Sequence, residues 1–185
     1  VGTFAQAERD GEAGRRPDRP HDVGHPAAGQ AVVLAGLEDD GSVAQALRRL
    51  GDLRLAEAES LRGEEGASSA DAVAAARRAI AAYQRLLKDY PEYPSTDAVL
   101  YQLARACETA GDSAQAVTTL DELVTRYPKT SHYAEAQFRR GETSFSLQRY
   151  ADAERAYAAV LALEPKSEFD EQALYKRGWA QFKLG

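Results

Sequence analysis

The sequence repeats itself at an interval of 37 residues. Three prolines that each follow an apolar run keep this interval: Pro91, Pro128 and Pro165. Three small residues, each in an apolar run after one of these prolines, keep it as well: Ala104, Gly141 and Gly178. Because two independent markers share one period, the chain contains an internal repeat, and this repeat constrains the fold more than any single motif does.

Each repeat is predicted to form two antiparallel helices. The first covers about 97–110 and ends at Gly111, a residue typical of helix C-termini. Asp112 then caps the second helix, with Gln115 three residues later as in a capping box, and Pro128 ends that helix because proline cannot continue it. The second helix carries one apolar stripe: Ala116, Val117, Leu120, Leu123 and Val124. A single hairpin cannot bury both apolar faces, so the predicted fold is an all-α stack of helix hairpins.

The first repeat is irregular. Its small residue, Gly51, corresponds to Ala104, but about sixteen extra residues separate its two helices, and they are expected to loop out or to lengthen the helices. The predicted repeats are 42–93 with this insertion, 94–130, 131–167 and a half unit, 168–185. Residues 1–41 are rich in Pro, Gly, Asp and Arg and are predicted to be disordered or loosely structured.

Composition narrows the classes of function. A net charge of −6 and a pI near 5.2 argue against a nucleic-acid surface, which normally needs a basic stripe. There is no apolar run long enough to span a bilayer, so direct membrane insertion is not expected. The single cysteine, Cys107, cannot form an intramolecular disulfide and is interpreted as a buried structural thiol rather than a nucleophile.

Candidate chemical sites are few. His21 and His25 have a spacing that suits a metal, but they lie in a stretch rich in Pro and Gly, which is predicted to be coil. His132 stands alone at a helix start and is expected to point to solvent. We therefore predict no catalytic, cofactor-binding or metal-ligating residues, and no cofactor.

The repeat resembles the tetratricopeptide repeat. The residues that carry the resemblance are Leu100, Leu103, Ala104, Ala116, Leu120 and Pro128, then Gly141, Ala153, Tyr157 and Pro165. The sequence departs from the family pattern at Cys107, where an aromatic is usual, and at Arg140 and Arg177, where leucine is usual. The resemblance covers roughly 42–185 and implies a right-handed superhelix of helix hairpins that acts as a protein-interaction scaffold.

A narrower resemblance concerns the turns. Tyr-Pro before a long turn and an aromatic-x-x-Gly after it are similar to bacterial cell-envelope members of the family, namely the lipoprotein of outer-membrane β-barrel assembly and the periplasmic coordinator of the Tol-Pal system. This resemblance implies a periplasmic scaffold in envelope assembly; a cytoplasmic location is the alternative.

In such a superhelix the first helices line the concave face, which implies a partner-binding surface. Its candidate residues are Tyr101, Arg105, Phe138, Arg139, Tyr175, Lys176 and Trp179. Rings supply contact area and arginine pairs with carboxylates, so an extended peptide or an acidic helix is the expected partner. The alternative is that several rings, Phe145 and Phe182 above all, form core between repeats.

The last predicted helix would leave Leu174, Trp179 and Leu184 uncovered. We therefore expect the natural protein to continue past Gly185, or this helix to pair with another molecule. The second alternative includes self-association of the chain through this helix.

Three hypotheses of function remain at this point. The first is a non-catalytic scaffold for a protein or peptide partner, and the second is a helical accessory region of a larger multidomain enzyme. RNA binding by the helical hairpins is the third, and the acidic balance disfavours it.

Overall fold

The computed structural model describes residues 40–63 and 69–185, and the following helices account for its regular structure. They are α1 (Asp40–Gly63), α2 (Ser69–Asp89), α3 (Thr96–Ala110), α4 (Ser113–Arg126), α5 (Tyr133–Ser146), α6 (Tyr150–Leu161) and α7 (Asp170–Leu184). No strand occurs in these two stretches, so the all-α prediction is confirmed. Residues 1–39 of the predicted N-terminal segment, which include His21 and His25, lie outside the described residues.

Each helix packs against the next along the chain. The helices pair as hairpins, α1 with α2, α3 with α4, and α5 with α6, and α1 also contacts α3. The last helix, α7, packs on α6, and within the described residues no further helix follows it to complete a fourth hairpin. The predicted stack of hairpins is therefore the observed architecture.

The turn between α3 and α4 has the predicted chemistry. Gly111 adopts a left-handed conformation with φ of 77°. This geometry lets the backbone N–H groups of Gly111 and Asp112 donate to the carbonyls of Glu108 and Cys107, which would otherwise lack partners at the helix end. The Asp112 carboxylate accepts a 3.0 Å hydrogen bond from the Gln115 backbone N–H and so caps α4.

In each of two hairpins, a tyrosine on the second helix lies over a glycine on the first helix. A Cβ atom added to Gly51 would come within 2.4 Å of the Tyr83 ring, and one added to Gly141 would come within 2.4 Å of the Tyr157 ring. Both tyrosines are fully buried. Glycine is required at these two positions because any side chain would occupy the volume of the ring.

Each of these tyrosines also makes a polar contact. Its hydroxyl donates to the acid that directly follows the glycine, Tyr83 to Asp52 at 2.8 Å and Tyr157 to Glu142 at 2.5 Å. A buried phenol needs such an acceptor, so the glycine and the acid together form one seat for the tyrosine.

The middle hairpin packs differently. The small residue on its first helix is Ala104. The residue on its second helix that corresponds to Tyr157 is Leu120, and both are fully buried in one cluster. The apolar stripe predicted for α4 is buried throughout, from Ala116 to Val124. The packing of first on second helix is thus an aromatic ring on glycine in two hairpins and an aliphatic side chain on alanine in the third.

The extra residues of the first repeat lengthen its helices. α1 runs on from Gly51 to Gly63, whereas α3 runs only from Ala104 to Ala110. α2 likewise begins well before its buried tyrosine, at Ser69. The added turns pack through small side chains in a separate cluster: Ala58, Ala75 and Ala76, with Leu61 and Ala110 against it.

Cys107 lies in the core between the first two hairpins and is fully buried. Burial raises the pKa of its thiol to about 12, with the negative charges of Asp112 and Glu108 acting in the same direction. A thiol held in its neutral form is a poor nucleophile, so the structure agrees with a structural role.

Candidate functional site

The predicted partner-binding residues lie on α3, α5 and α7, the first helices of successive repeats, but the structure places them in different environments. Tyr101 on α3 belongs to the core, since only 6 % of it is exposed. Its ring stacks on that of His132, with centroids 4.3 Å apart. His132 was expected to point to solvent; instead it covers Tyr101. Burial and a hydrogen bond to Glu135 raise the pKa of Tyr101 to about 12.

Phe138 on α5 is half-buried and forms the floor of a cleft. Its ring stacks on Phe169, the residue before α7, with centroids 5.4 Å apart, and lies 6.0 Å from the Tyr157 ring. The cleft has a volume of about 410 Å³. We call it the Phe138 cleft, and its lining comprises Glu108, Ser113, Glu135, Phe138, Arg139, Glu142, Thr143, Ser146 and Phe169.

The basic residues of the predicted surface are already paired within the protein. Each one contacts a glutamate on the first helix of the preceding repeat. The pairs are Arg105 with Glu59, Arg139 with Glu108 at 2.9 Å and Lys176 with Glu142 at 2.8 Å. These three pairs, which we call the charge ladder, connect neighbouring hairpins. These basic residues thus have carboxylate partners within the protein, and their contact with a partner protein stays a prediction.

Arg139 is the basic residue of the ladder that pairs with two glutamates. Besides Glu108, it contacts Glu135 at 2.9 Å, and its guanidinium lies 6.0 Å from the centre of the Tyr101 ring. Burial raises the pKa of Glu108, with Arg139 opposing that shift. Burial acts in the same direction on Glu135, but there the hydrogen bond from Tyr101 and the charge of Arg139 prevail and lower its pKa.

The charge of the Phe138 cleft is consequently negative. Three carboxylates line it, those of Glu108, Glu135 and Glu142, against the one guanidinium of Arg139. A negative cleft over an aromatic floor has the charge that attracts a cationic group, whereas the sequence analysis predicted an extended peptide or an acidic helix as the partner.

The predicted residues on α7 are the most exposed of the set. Tyr175 is 64 % exposed and Trp179 is 45 % exposed, and they line an apolar groove of about 460 Å³ together with Leu174, Gly178 and Phe182. We call this the α7 groove. Phe182, for which a core position was the alternative interpretation, is 73 % exposed, whereas Phe145 is half-buried and packs on the core of the last hairpin.

A comparison with protein-family models decides the family. The model described as tetratricopeptide repeat matches residues 65–131 and again 101–168, which together cover more than half of the chain. The chain belongs to the tetratricopeptide repeat family. A search of curated proteins found no relative of this chain.

Membership of the tetratricopeptide repeat family carries a general expectation of function. Such repeats generally mediate interactions between proteins, and the family is typically non-catalytic. Across the described ranges, no three His, Cys, Asp or Glu side chains are grouped so that they could hold a metal ion. None of the helices in the same ranges has the length and apolar character needed to cross a bilayer.

Two departures from the tetratricopeptide pattern are explained by ion pairs. Arg140 on α5 contacts Asp121 on α4, and Arg177 on α7 contacts Glu154 on α6 at 2.7 Å. In both cases an arginine replaces the usual leucine and reaches back to the second helix of the preceding hairpin. These arginines hold neighbouring repeats together and are not free to bind a ligand.

Sequence reasoning missed the acidic residues of the site. Glu59, Glu108 and Glu142 are each one step of the charge ladder, yet none was singled out. The signal that could have found them is a carboxylate after the small residue of α1, α3 and α5, at an offset that shortens by about one helical turn from each repeat to the next.

Proposed function

We propose that this protein is a non-catalytic scaffold that binds an extended, basic segment of a partner protein along α3, α5 and α7. In this proposal an arginine or lysine of the partner enters the Phe138 cleft. The observation that carries it is the combination of an open cleft of about 410 Å³, an aromatic floor and three lining carboxylates.

The chemistry of the cleft suits a guanidinium. The stacked rings of Phe138 and Phe169 offer a flat surface on which a planar cation can lie, and glutamate oxygens stand at the rim to accept its hydrogen bonds. A lysine would gain the same charge contacts but less of the stacking. A carboxylate in this position would meet like charges, which is unfavourable.

The charge ladder sets a limit on the affinity. Glu108 already accepts from Arg139, and Glu142 already contacts Lys176 and the Tyr157 hydroxyl. An incoming cation therefore shares these acceptors with residues of the protein. We expect moderate affinity that falls as salt is added, because the rim is open to water.

Matched peptides test this proposal. Fluorescently labelled peptides of about nine residues that differ only at the central position (Arg, Lys, Gln or Glu) are titrated with the protein, and binding is followed by anisotropy. We expect the order Arg, Lys, Gln, Glu, with the arginine peptide bound about tenfold more tightly than the glutamine peptide, as one charge-assisted contact would give.

Two variants locate the binding. Phe138→Leu should weaken binding of the arginine peptide while circular dichroism stays unchanged. Glu122→Gln is the matched control, because Glu122 pairs with Arg126 on the exposed face of α4 and does not line the cleft. Equal binding of the arginine and glutamate peptides, or no effect of Phe138→Leu, would contradict the assignment.

We further propose a place in the bacterial cell envelope. The Tyr-Pro helix ends and the long turns after Pro91 and Pro128 support this location. Fractionation of cells that produce the protein from its natural gene tests it, with the cytoplasm as the outcome that would refute it.

A further inference from the structure

We propose that the exposed face of α2 is a docking site for an acidic helix of a partner protein. This face carries Arg77, Arg78, Arg85 and Lys88, and we call it the α2 basic face. The partner helix would lie along α2 and place glutamates or aspartates beside these four side chains. None of the four lines the Phe138 cleft, so this inference is independent of the function proposed above.

The basic charge of the second helices is concentrated on α2. This helix has four basic and two acidic residues, whereas α4 and α6 each have one basic and two acidic residues. The whole chain carries a net charge of −6. A positive face on a negatively charged protein attracts an anionic group locally, and solubility does not require it because the net charge is already far from zero.

Three of the four basic side chains on this face have no partner in the protein. Arg77, Arg78 and Lys88 are exposed, and across residues 40–63 and 69–185 their side chains make no ion pair or hydrogen bond. Only Arg85 contacts a carboxylate, that of Asp89 at 3.2 Å. The basic residue of α4 and that of α6 each pair with a carboxylate of their own helix. The α2 basic face therefore retains charge that a partner's carboxylates can pair with.

The four cations form two rows along the helix. Since each residue turns the helix by about 100°, Arg77 and Lys88 lie within about 20° of each other around the axis of α2. Arg78 and Arg85 form a second such row, about 80° from the first. Arg77 and Lys88 are about 16 Å apart along the axis, so the charged area has the length of a few helical turns.

The strip between the two rows is nearly flat. Ala74 and Ala81 fall there, and Ala81 is exposed while Ala74 is partly exposed. Small side chains let the backbone of a second helix approach closely, and acidic side chains on both sides of the contact then reach the two rows of cations. Charged pairs flank the seam of a coiled coil in the same way. This arrangement favours a helix as the occupant.

An open notch adjoins the α2 basic face at Arg77. Here α2, which begins at Ser69, runs past the turn between α3 and α4, and the two segments border a space of about 410 Å³. The Asp112 carboxylate in this notch caps α4 and does not contact Arg77. The Arg77 guanidinium therefore borders a space that a side chain of the partner can enter. The notch is lined by Arg77, Ile80, Ala110, Gly111, Asp112 and Gln115.

The surroundings of the face favour a protein helix over a membrane. The apolar side chains of α2 are buried in the core, among them Ala79, Tyr83 and Leu86, and so they are not placed to enter a bilayer. A wide anionic surface would also meet the acidic side chains of α4 and α6. A single helix can stay within the positive area.

Two synthetic peptides test the proposal. Each is a labelled helix of about 18 residues with alanines along one face, and they differ only beside this face, where one has four glutamates and the other four glutamines. The full chain is titrated into each peptide, and binding is followed by fluorescence anisotropy. We expect the glutamate peptide to bind at least about tenfold more tightly, and its affinity to fall as salt is added.

A double variant locates the binding. Arg78→Gln with Lys88→Gln removes one cation from each row and should weaken the glutamate peptide at least about tenfold, with unchanged circular dichroism. The matched control, Lys129→Gln with Lys183→Gln, removes the same charge from exposed lysines in the turn after α4 and on α7. It should leave the affinity within about twofold, because distant exposed charges are screened.

The full chain is also sedimented with phosphatidylcholine vesicles that contain phosphatidylserine, and we expect it to stay in solution. Equal binding of the two peptides, or equal loss of affinity in the two double variants, would overturn the proposal. Sedimentation that Arg78→Gln with Lys88→Gln abolishes would overturn it as well, because the α2 basic face would then be a membrane site.

Discussion

The ring of Tyr157 lies so close to the backbone of Gly141 that a Cβ atom on the glycine would stand 2.4 Å from the tyrosine Cε1. The tyrosine is fully buried and its hydroxyl is tied to Glu142, so the ring cannot move aside. Gly141→Ala is therefore expected to lower the free energy of unfolding by about 1–3 kcal/mol, the usual cost of overpacking. Urea denaturation followed by circular dichroism measures it.

Gly178→Ala is the control for this prediction. Gly178 has the same place in the repeat, but nothing lies within 4 Å of its added Cβ atom. Alanine should there stabilise the protein by up to about 1 kcal/mol through helix propensity alone. If both alanines had the same effect, the close packing of Tyr157 on Gly141 would not be the cause.

A second prediction concerns Gln148, which lies in the turn after α5. Gln148 adopts φ of 60°, and it stands 37 residues after Gly111, which adopts φ of 77°. A residue with a Cβ atom is strained in this left-handed conformation, so Gln148→Gly should raise the free energy of unfolding by about 1 kcal/mol. Gly111→Ala should lower it by a similar amount. Thermal unfolding of both variants checks the two signs, and a destabilised Gln148→Gly protein would contradict the prediction.

The contributions of the two glutamates beside Arg139 to the stability of the protein should change with pH in opposite directions. The pKa of Glu135 is lowered from its ordinary value of 4.5, so its contribution to stability is present above that value and is lost as pH falls through the lowered pKa. The pKa of Glu108 is raised, so its contribution is present below 4.5 and is lost as pH rises through the raised pKa. Glu135→Gln should therefore be destabilising at pH 7 and nearly neutral at the acid end.

The matched variant Glu108→Gln supplies the opposite trend. Relative to the wild type, its free energy of unfolding should improve as the pH rises from about 4 to 7, since the amide removes a carboxylate whose ionisation burial disfavours. Urea titrations at several pH values give both curves. Parallel curves for the two variants would show that the environments of Glu108 and Glu135 are not distinct.

Cys107 should report on unfolding of the first two hairpins. It is fully buried between them, and burial raises its pKa to about 12. We expect no reaction with a thiol reagent such as DTNB at pH 8 in native conditions and complete reaction in urea. The rate at intermediate urea then follows the opening of this core. Fast labelling of the native protein would contradict the burial.

The constant interval made most of the fold predictable. Three prolines and three small residues at the same spacing fixed the hairpins, and Gly111 and Asp112 fixed the turn between α3 and α4. The fate of the extra residues in the first repeat was open, because a loop and a longer helix need the same number of residues. In the structure the helices are longer, and Ala58, Ala75 and Ala76 in their added turns pack in one buried cluster.

The site was less predictable, because its charges do not follow the interval. The acids of the charge ladder stand eight, four and one residues after Gly51, Ala104 and Gly141, respectively, so they occupy successive turns of one helix face. A search at fixed spacing finds the three rings and the pair Arg139 and Lys176, but it finds neither Arg105 nor these acids. Burial of Tyr101 under His132 also depended on the long turn after Pro128, whose course the sequence does not specify.

The packing alternates along the array, from tyrosine on glycine to leucine on alanine and back. This alternation affects which helices of similar repeats can pair while the chain folds. If α2 slipped by one unit and lay on α3, the Tyr83 ring would meet the Ala104 methyl group instead of the open backbone of Gly51. If α4 lay on α5, Leu120 would leave the space over Gly141 partly empty. Both of these slips are mismatched in size, and the mismatch favours correct pairing among the first three hairpins of the array.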